Sequence, residues 1–513
     1  MPPRRLLLLA LAVAALVGLR LVWAPGLLAS PGGEVWGHAW VQWWHAEALP
    51  AWPDSTGPWL LQDKPWAVVD PLPTALAAVV GRLAGAVVGY DLWVVLAVVL
   101  AVVGGSRLAE RAGGDPVVGG VALGLAPSFL GAAASGLTED LALGLAALAL
   151  ADLGHADPRR GWRAGLWLGL LAGCGLVLAW ATGLACLGLG LALALRDRRR
   201  LRGLVPAGLV ALVGAALAAL HQGARLGGRG HRLGAVHEHV EPLWRLNPTR
   251  GIDLASVFVP GRMDPGEALV RMHPGYLGLS LLGLALFAGR SRWWALLAAA
   301  VLVAPGERLR LLGQPLGLPN PAAWLVDLLP FGSLVNHHGR LLVLGAVALA
   351  ALAARGARRR FGERAPWLAA VVVLDLALLS PVPVPLPTAS VAAPDVLHRL
   401  AALPEGPLLV LPAGGPGIHP QRPLFDQRVH RRTLVRDPNV PGLPLELRDA
   451  PGGDWLGSLG QPRRAPVPDD MEWPQDVAVI VVLGDAAGEV EAVLGPPDLR
   501  GADGAAWGRP GGS

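Results

Sequence analysis

Cysteine, lysine and tyrosine are almost missing from this chain of 513 residues, which has two cysteines, two tyrosines and the single lysine Lys64. Because Cys174 and Cys186 both fall inside apolar runs, no disulfide framework is available, and cysteine usage does not report the redox compartment. Charge is scarce as well. Charged residues are 16% of the chain against 53% hydrophobic, with a mean hydropathy of +0.47, a composition that excludes an ordinary soluble domain. No internal repeat of solenoid length is present. The net charge of +5 sits on arginines in short clusters between apolar runs, so topology explains it and nucleic acid is not an expected partner.

Those clusters occupy every second gap: Arg4-Arg5, Arg107 with Arg111, Arg159-Arg160 with Arg163, Arg196 through Arg202, Arg290 with Arg292, and Arg355 through Arg364. Arginine favours the cytoplasmic side of a bilayer, so the alternation predicts a cytoplasmic N-terminus and spans near 6–23, 91–106, 116–134, 139–153, 164–178, 180–195, 204–220, 275–289, 293–304, 338–354 and 365–380. That is about eleven crossings, each roughly 15–20 residues long. The first is read as a retained span, because Leu27 and Ala29 make a poor cleavage site. The apolar stretch 164–195 is too long for one crossing and must be two, while 71–88 is expected to lie at or dip into the outer leaflet rather than cross it. The expected fold class is therefore an all-α polytopic membrane protein with a small C-terminal extracytoplasmic α/β domain.

Three outer segments are long enough to carry function: about 24–90, about 221–274, and the tail after Pro381. A shorter outer stretch spans 305–337. The tail opens on 381–390, where proline at every second position favours an extended spacer. Beyond it, 391–513 contains the apolar strands 407–412 and 477–483 with helices near 395–403 and 489–494, the pattern of a small α/β unit. Residues 412–475, rich in Pro, Gly and Arg, carry no assignable pattern.

Several clusters could carry chemistry. Trp36, Trp40, Trp43 and Trp44 recur at i, i+4, i+7 and i+8, which puts indoles along one helix face, as either an interfacial belt or a stacking platform for sugar or lipid. Glu34 stands just after the first span, and Asp54, Asp63 and Asp70 follow in the same loop. Such carboxylates can deprotonate an acceptor hydroxyl, bind a divalent cation, or simply be solvated. Thr138-Glu139-Asp140 sits in a turn with almost no loop, where two acids are costly unless paired or wet; an N-cap role is the structural alternative. His237, His239 and Glu241 alternate as metal or acceptor ligands on a strand. His337-His338-Gly339-Arg340 opens the tenth span, where a guanidinium fork suits a phosphate leaving group or, alternatively, snorkels to the interface. Asp375, midway along the last span, is an intramembrane acid and by default a functional candidate.

Taken together, the acid after the first span, the Trp-rich loop ending in Asp70-Pro71, the surface helix and the turn Ser135-Gly136-Leu137-Thr138-Glu139 resemble the GT-C superfamily of membrane glycosyltransferases. More closely, the chain is similar to bacterial GT-C-like polytopic membrane proteins with a C-terminal extracytoplasmic domain. Tyr276-Leu277-Gly278, Leu318-Pro319-Asn320-Pro321, Leu329-Pro330 and Gly339-Arg340 fit that set, as do Leu411-Pro412, Gln427-Arg428-Val429-His430 and Leu494-Gly495-Pro496 in the tail.

The resemblance implies a bacterial cytoplasmic-membrane enzyme making an inverting transfer of sugar from a polyprenyl-phosphate donor to an outer-face glycan, lipid or protein acceptor. Glu34 occupies the position of the family's first-loop acid, the candidate base, although aspartate is commoner there. Glu139 is a second catalytic candidate. Arg340, His337 and His338 are expected to bind the donor phosphate, with Asp63, Asp70, His237, His239 and Glu241 as acceptor or divalent-cation candidates. A lipid-linked donor needs no nucleotide-sugar loop, and none is seen. A catalytically silent envelope scaffold and a flippase for a lipid-linked precursor are the competing expectations, the flippase requiring more polar residues deep in the spans than Asp375.

Overall fold

Proline begins many of the helices, because its missing N–H costs nothing in the first turn and its fixed φ suits the helix. Helices Pro3–Gly18, Pro71–Ala84, Pro116–Gly124, Pro127–Ser135 and Pro158–Cys174 all start this way. Two have an aspartate immediately before the proline that accepts otherwise orphaned backbone N–H groups: Asp115 from Val117 and Val118, each at 3.0 Å, and Asp157 from Arg159 at 2.9 Å. The computed structural model describes residues 1–48, 70–153, 157–226, 251–260, 274–329, 335, 337–412, 419, 421–435, 451–460, 463–468 and 471–510.

Among the described residues, five helical stretches are long and apolar enough to cross a membrane: Pro3–Val22, Ala86–Arg111, Pro116–Ser135, Leu176–Arg196 and His338–Leu379. Shorter apolar helices cover Pro71–Ala84, Leu201–Leu217, Leu279–Ala288 and Trp293–Val303. The protein is thus a helical, multi-pass membrane protein, while the count of eleven crossings rests on the arginine alternation alone. The long apolar stretch does divide, into Pro158–Cys174 and Leu176–Arg196. The expected span 116–134 is two short helices broken at Leu125-Ala126, because Pro127 cannot continue the hydrogen-bond ladder of the first.

By internal contacts the chain forms two compact units. The first comprises Met1–Ser30, Ala67–Ala77 and Val88–Ala389. Its centre is helix Leu342–Phe361, buried along most of its length, which packs on Pro116–Gly124, Leu279–Ala285 and Trp293–Val303. A small antiparallel hairpin, β1 Arg308–Leu311 and β2 Gln314–Pro319, precedes helix Pro321–Leu328. Residues 381–389, within the stretch expected as an extended spacer, bond to the start of the chain: Leu386 N donates to Val17 O at 3.0 Å, and Leu27 and Ala389 exchange backbone bonds. Val382, Leu386 and Ala389 are buried, and these apolar side chains between the prolines are what holds the segment down.

The second unit comprises Pro31–Trp66, Ala78–Val87 and Ser390–Ser513. Its sheet runs in the order β3 (Leu408–Leu411), β4 (Val479–Leu483), β6 (Gly504–Gly508), β5 (Leu499–Gly501). The two apolar runs read from sequence are the parallel pair β3 and β4, and β5 and β6 form an antiparallel hairpin that the sequence pattern did not mark. Leu409, Leu411, Ile480, Val482, Trp455 and Trp507 make its core.

Helix Val35–Ala48 carries the four tryptophans and packs on helix Arg422–His430. Trp36, Trp40, Trp43 and Trp44 are only 2–6% exposed. Trp36 lies 5.6 Å from the Phe425 ring, with the Arg422 guanidinium 4.1 Å from its centroid. Arg422 also reaches both carboxylate oxygens of Asp426, at 2.9 and 3.0 Å, and the carbonyls of Ser390 and Ala392. These indoles are engaged in packing against the tail.

Candidate functional site

Three segments far apart in sequence meet in the first unit. Asp70 precedes helix Pro71–Ala84 and is almost wholly buried. Its carbonyl accepts Thr74 N at 3.0 Å and its Oδ1 accepts the Thr74 hydroxyl at 3.0 Å, so the carboxylate is oriented by the first turn of the helix it begins. Its Oδ2 accepts the hydroxyl of Thr138, from the short turn Thr138–Asp140. Trp93 Nε1 donates to Thr138 O at 3.3 Å, which ties that turn to helix Ala86–Arg111.

The next two residues of the turn reach the third segment. Arg340, in the turn His338–Leu341 that leads into helix Leu342–Phe361, places an Nη 3.4 Å from Glu139 Oε1 and its Nε 3.4 Å from Asp140 Oδ2. All three side chains are 12% exposed or less. Two carboxylates on one guanidinium, with Asp70 bonded to the residue next to Glu139, gather three acids and one cation. The contacts to Arg340 are longer than the roughly 2.7–2.9 Å of a tight charge-assisted bond, so the guanidinium is shared between two carboxylates rather than locked onto one. His338 is buried beside it in sequence and His337 is half-buried.

Backbone approach matters at one glycine. At Gly175, between two helices, a Cβ would come 2.2 Å from the Glu139 carbonyl oxygen, so only glycine lets Leu176–Arg196 start against the acidic turn. Tyr90, fully buried on helix Ala86–Arg111, has a hydroxyl with no partner among the described residues.

Asp375 is resolved differently. Its Oδ1 accepts the Tyr276 hydroxyl at 2.5 Å, and its Oδ2 accepts Ser280 N at 2.6 Å and the Ser280 hydroxyl at 2.5 Å. It caps the start of helix Leu279–Ala285 from a neighbouring helix, and Gly278 (φ +97°) supplies the turn into that helix. An intramembrane acid saturated in this way has a structural role.

Of the residues singled out from sequence, the structure brings Asp70, Glu139 and Arg340 into one cluster. Glu34 is half-buried in the second unit, where its carbonyl accepts Gly37 N at 3.1 Å. Asp54, Asp63, His237, His239 and Glu241 lie outside the described residues. Among those described, no three His, Cys, Asp or Glu side chains are grouped so as to hold a metal ion. Sequence reasoning missed Thr74 and Thr138 as the residues that orient Asp70. The Asp-Pro-x-x-Thr spacing, a cap followed by a first-turn hydroxyl, was the available signal.

No protein-family model matches this chain, and no curated protein matches it in sequence. Solved structures do match in fold. The arabinofuranosyltransferase AftD from Mycobacteria aligns over 94% of this chain and 35% of its own length, with TM-score 0.51 and 22% identity. A mutant of the same enzyme aligns over 94% and 37%, also with TM-score 0.51 and 22% identity. The apo oligosaccharyltransferase of Archaeoglobus fulgidus aligns over 95% and 70% at 16% identity, with a TM-score of 0.45 that is too low to bear on the fold. The chain spans about a third of the arabinofuranosyltransferase's length. The likeness shows that this chain shares its fold with part of that arabinofuranosyltransferase.

Proposed function

We propose that this GT-C-like membrane protein is a glycosyltransferase that moves a sugar from a polyprenyl-phosphate donor to an acceptor hydroxyl at the extracytoplasmic face of a bacterial cytoplasmic membrane. The observation that carries the reading is the convergence of Asp70, Glu139, Asp140 and Arg340, drawn from three distant segments, inside an apolar helical unit. Buried charge of this kind is costly and persists where it serves a site.

The chemistry needs two things. A carboxylate takes the proton from the acceptor hydroxyl as its oxygen attacks the anomeric carbon, and the bond from that carbon to the phosphate oxygen breaks. The departing lipid phosphate then gains charge, which the guanidinium fork of Arg340 is suited to accept. In this reading Glu34 or Glu139 is the base, Arg340 with His337 and His338 receives the phosphate, and Asp70 fixes the acidic turn through Thr138. The donor arrives within the membrane plane, and inversion follows from a single displacement.

The test is transfer of radiolabelled sugar from a polyprenyl-phosphate donor in membranes containing the protein, beside Glu34→Gln. Transfer by the unmodified chain is expected. Loss in the variant assigns the base to Glu34, and retained transfer moves it to Glu139. No transfer from any such donor removes the enzymatic reading in favour of a silent scaffold.

A further inference from the structure

A cavity of about 510 Å³ opens within the second unit, walled by Trp43, Glu47, Arg82, Val87, Phe425 and Arg428. Nothing in the transfer chemistry uses it. Its charge is one-sided: Arg82 and Arg428 line it directly, and Arg431 sits at its edge, 3.2 Å from Glu47, so the only acid of the lining is already answered.

The two lining arginines are poised differently. Arg428 lies 4.6 Å from the Phe425 ring centroid and donates to Val391 O, while its buried Nε has no partner among the described residues. Arg82 is exposed and meets no acid among the described residues. Apolar surface adjoins them. Val79 and Leu83, on the last turns of the helix that carries Arg82, are 50% and 84% exposed.

We infer that this cavity binds the phosphate group of an anionic amphiphile, most simply the headgroup of an acidic membrane lipid whose chains run along Val79 and Leu83. A guanidinium with its edge free pairs two phosphate oxygens at once, and a basic pocket beside bare aliphatic side chains is the chemistry of a lipid–water boundary. A soluble phosphate ester shares the anion but leaves the apolar surface bare. The inference is independent of the transferase reading, since none of the acids near Arg340 takes part.

The full chain in nanodiscs of mixed phosphatidylcholine and phosphatidylglycerol, examined by native mass spectrometry, tests it. Preferential retention of phosphatidylglycerol is expected, falling about fivefold in Arg82→Gln, as expected for one basic residue at an anionic surface. Arg82 is exposed, so this variant keeps the fold; Arg428→Gln repeats the test from inside the cavity. Retention that survives added glycerol 3-phosphate assigns the site to lipid, and displacement by it assigns the same anion site to soluble phosphate esters. Equal retention of both lipids by wild type and variants, unmoved by glycerol 3-phosphate, overturns the inference.

Discussion

Two sets of buried acids in the first unit differ in the kind of donor they meet. Asp375 receives three hydrogen bonds of 2.5–2.6 Å from Tyr276 and Ser280. Glu139 and Asp140 share one guanidinium at 3.4 Å. The difference separates an acid that ties two segments together through neutral donors from acids that meet a cation. An acid's place beside or within an apolar run, which marked both Glu139 and Asp375 in the sequence, does not distinguish the two.

The largest effect is expected from Glu139→Gln combined with Asp140→Asn, which removes the charge that holds Arg340: sugar transfer per folded molecule in membranes should fall on the order of a hundredfold or more, beside an earlier thermal transition from the guanidinium left buried without its counter-charges. Asp375→Ala should act on stability alone. Losing a charged cap and its two partners costs about 3 kcal/mol, visible as an earlier thermal transition in detergent, while transfer per folded molecule is kept. Thr138→Val frees the Asp70 carboxylate from the acidic turn and should lower transfer about tenfold, the cost of one hydrogen bond to a charged group, with no change in donor binding.

The smallest effect lies in the second unit and concerns pH. Burial holds the imidazole of His419 down to about 4 and that of His430, also opposed by Arg432, to about 3, against an ordinary value of 6.5. Unfolded chains therefore take up protons first, so stability is full above about pH 6.5 and is lost as pH falls towards 4. Hydrogen exchange of strands β3 and β4 should quicken across that window. His430→Gln, which removes one of the two groups, should shallow the slope.

Much of the helical plan was legible because apolar runs and proline starts are local signals. Helices Pro3–Gly18, Ala86–Arg111, Leu176–Arg196 and Leu342–Phe361 fall on segments that composition alone marks. Strands β3 and β4 were legible for the same reason, as short unbroken apolar runs. The hairpin of β5 and β6 was not, because Leu499–Gly501 and Gly504–Gly508 are short and rich in glycine. The packing of the tryptophan helix was not legible either, since its partner Arg422–His430 lies in a Pro- and Arg-rich stretch without helical periodicity.

At the candidate site each residue type was readable from its setting, an acid in a tight turn or an arginine at a helix mouth. Their pairing was not readable, because Glu139 and Arg340 are 201 residues apart and no local pattern couples them. Asp375 shows the opposite case. Tyr276-Leu277-Gly278 was noticed as a motif, and its meaning as the partner of that acid appears only in three dimensions.

The most direct test sets Arg340→Gln beside Asp375→Asn in the same membranes, measuring sugar transfer per folded molecule from a polyprenyl-phosphate donor. The account predicts a roughly 100- to 1000-fold loss for Arg340→Gln, the scale of removing one donor from a developing negative charge, and near wild-type transfer for Asp375→Asn. Undiminished transfer by Arg340→Gln, or equal loss in both variants, would contradict it.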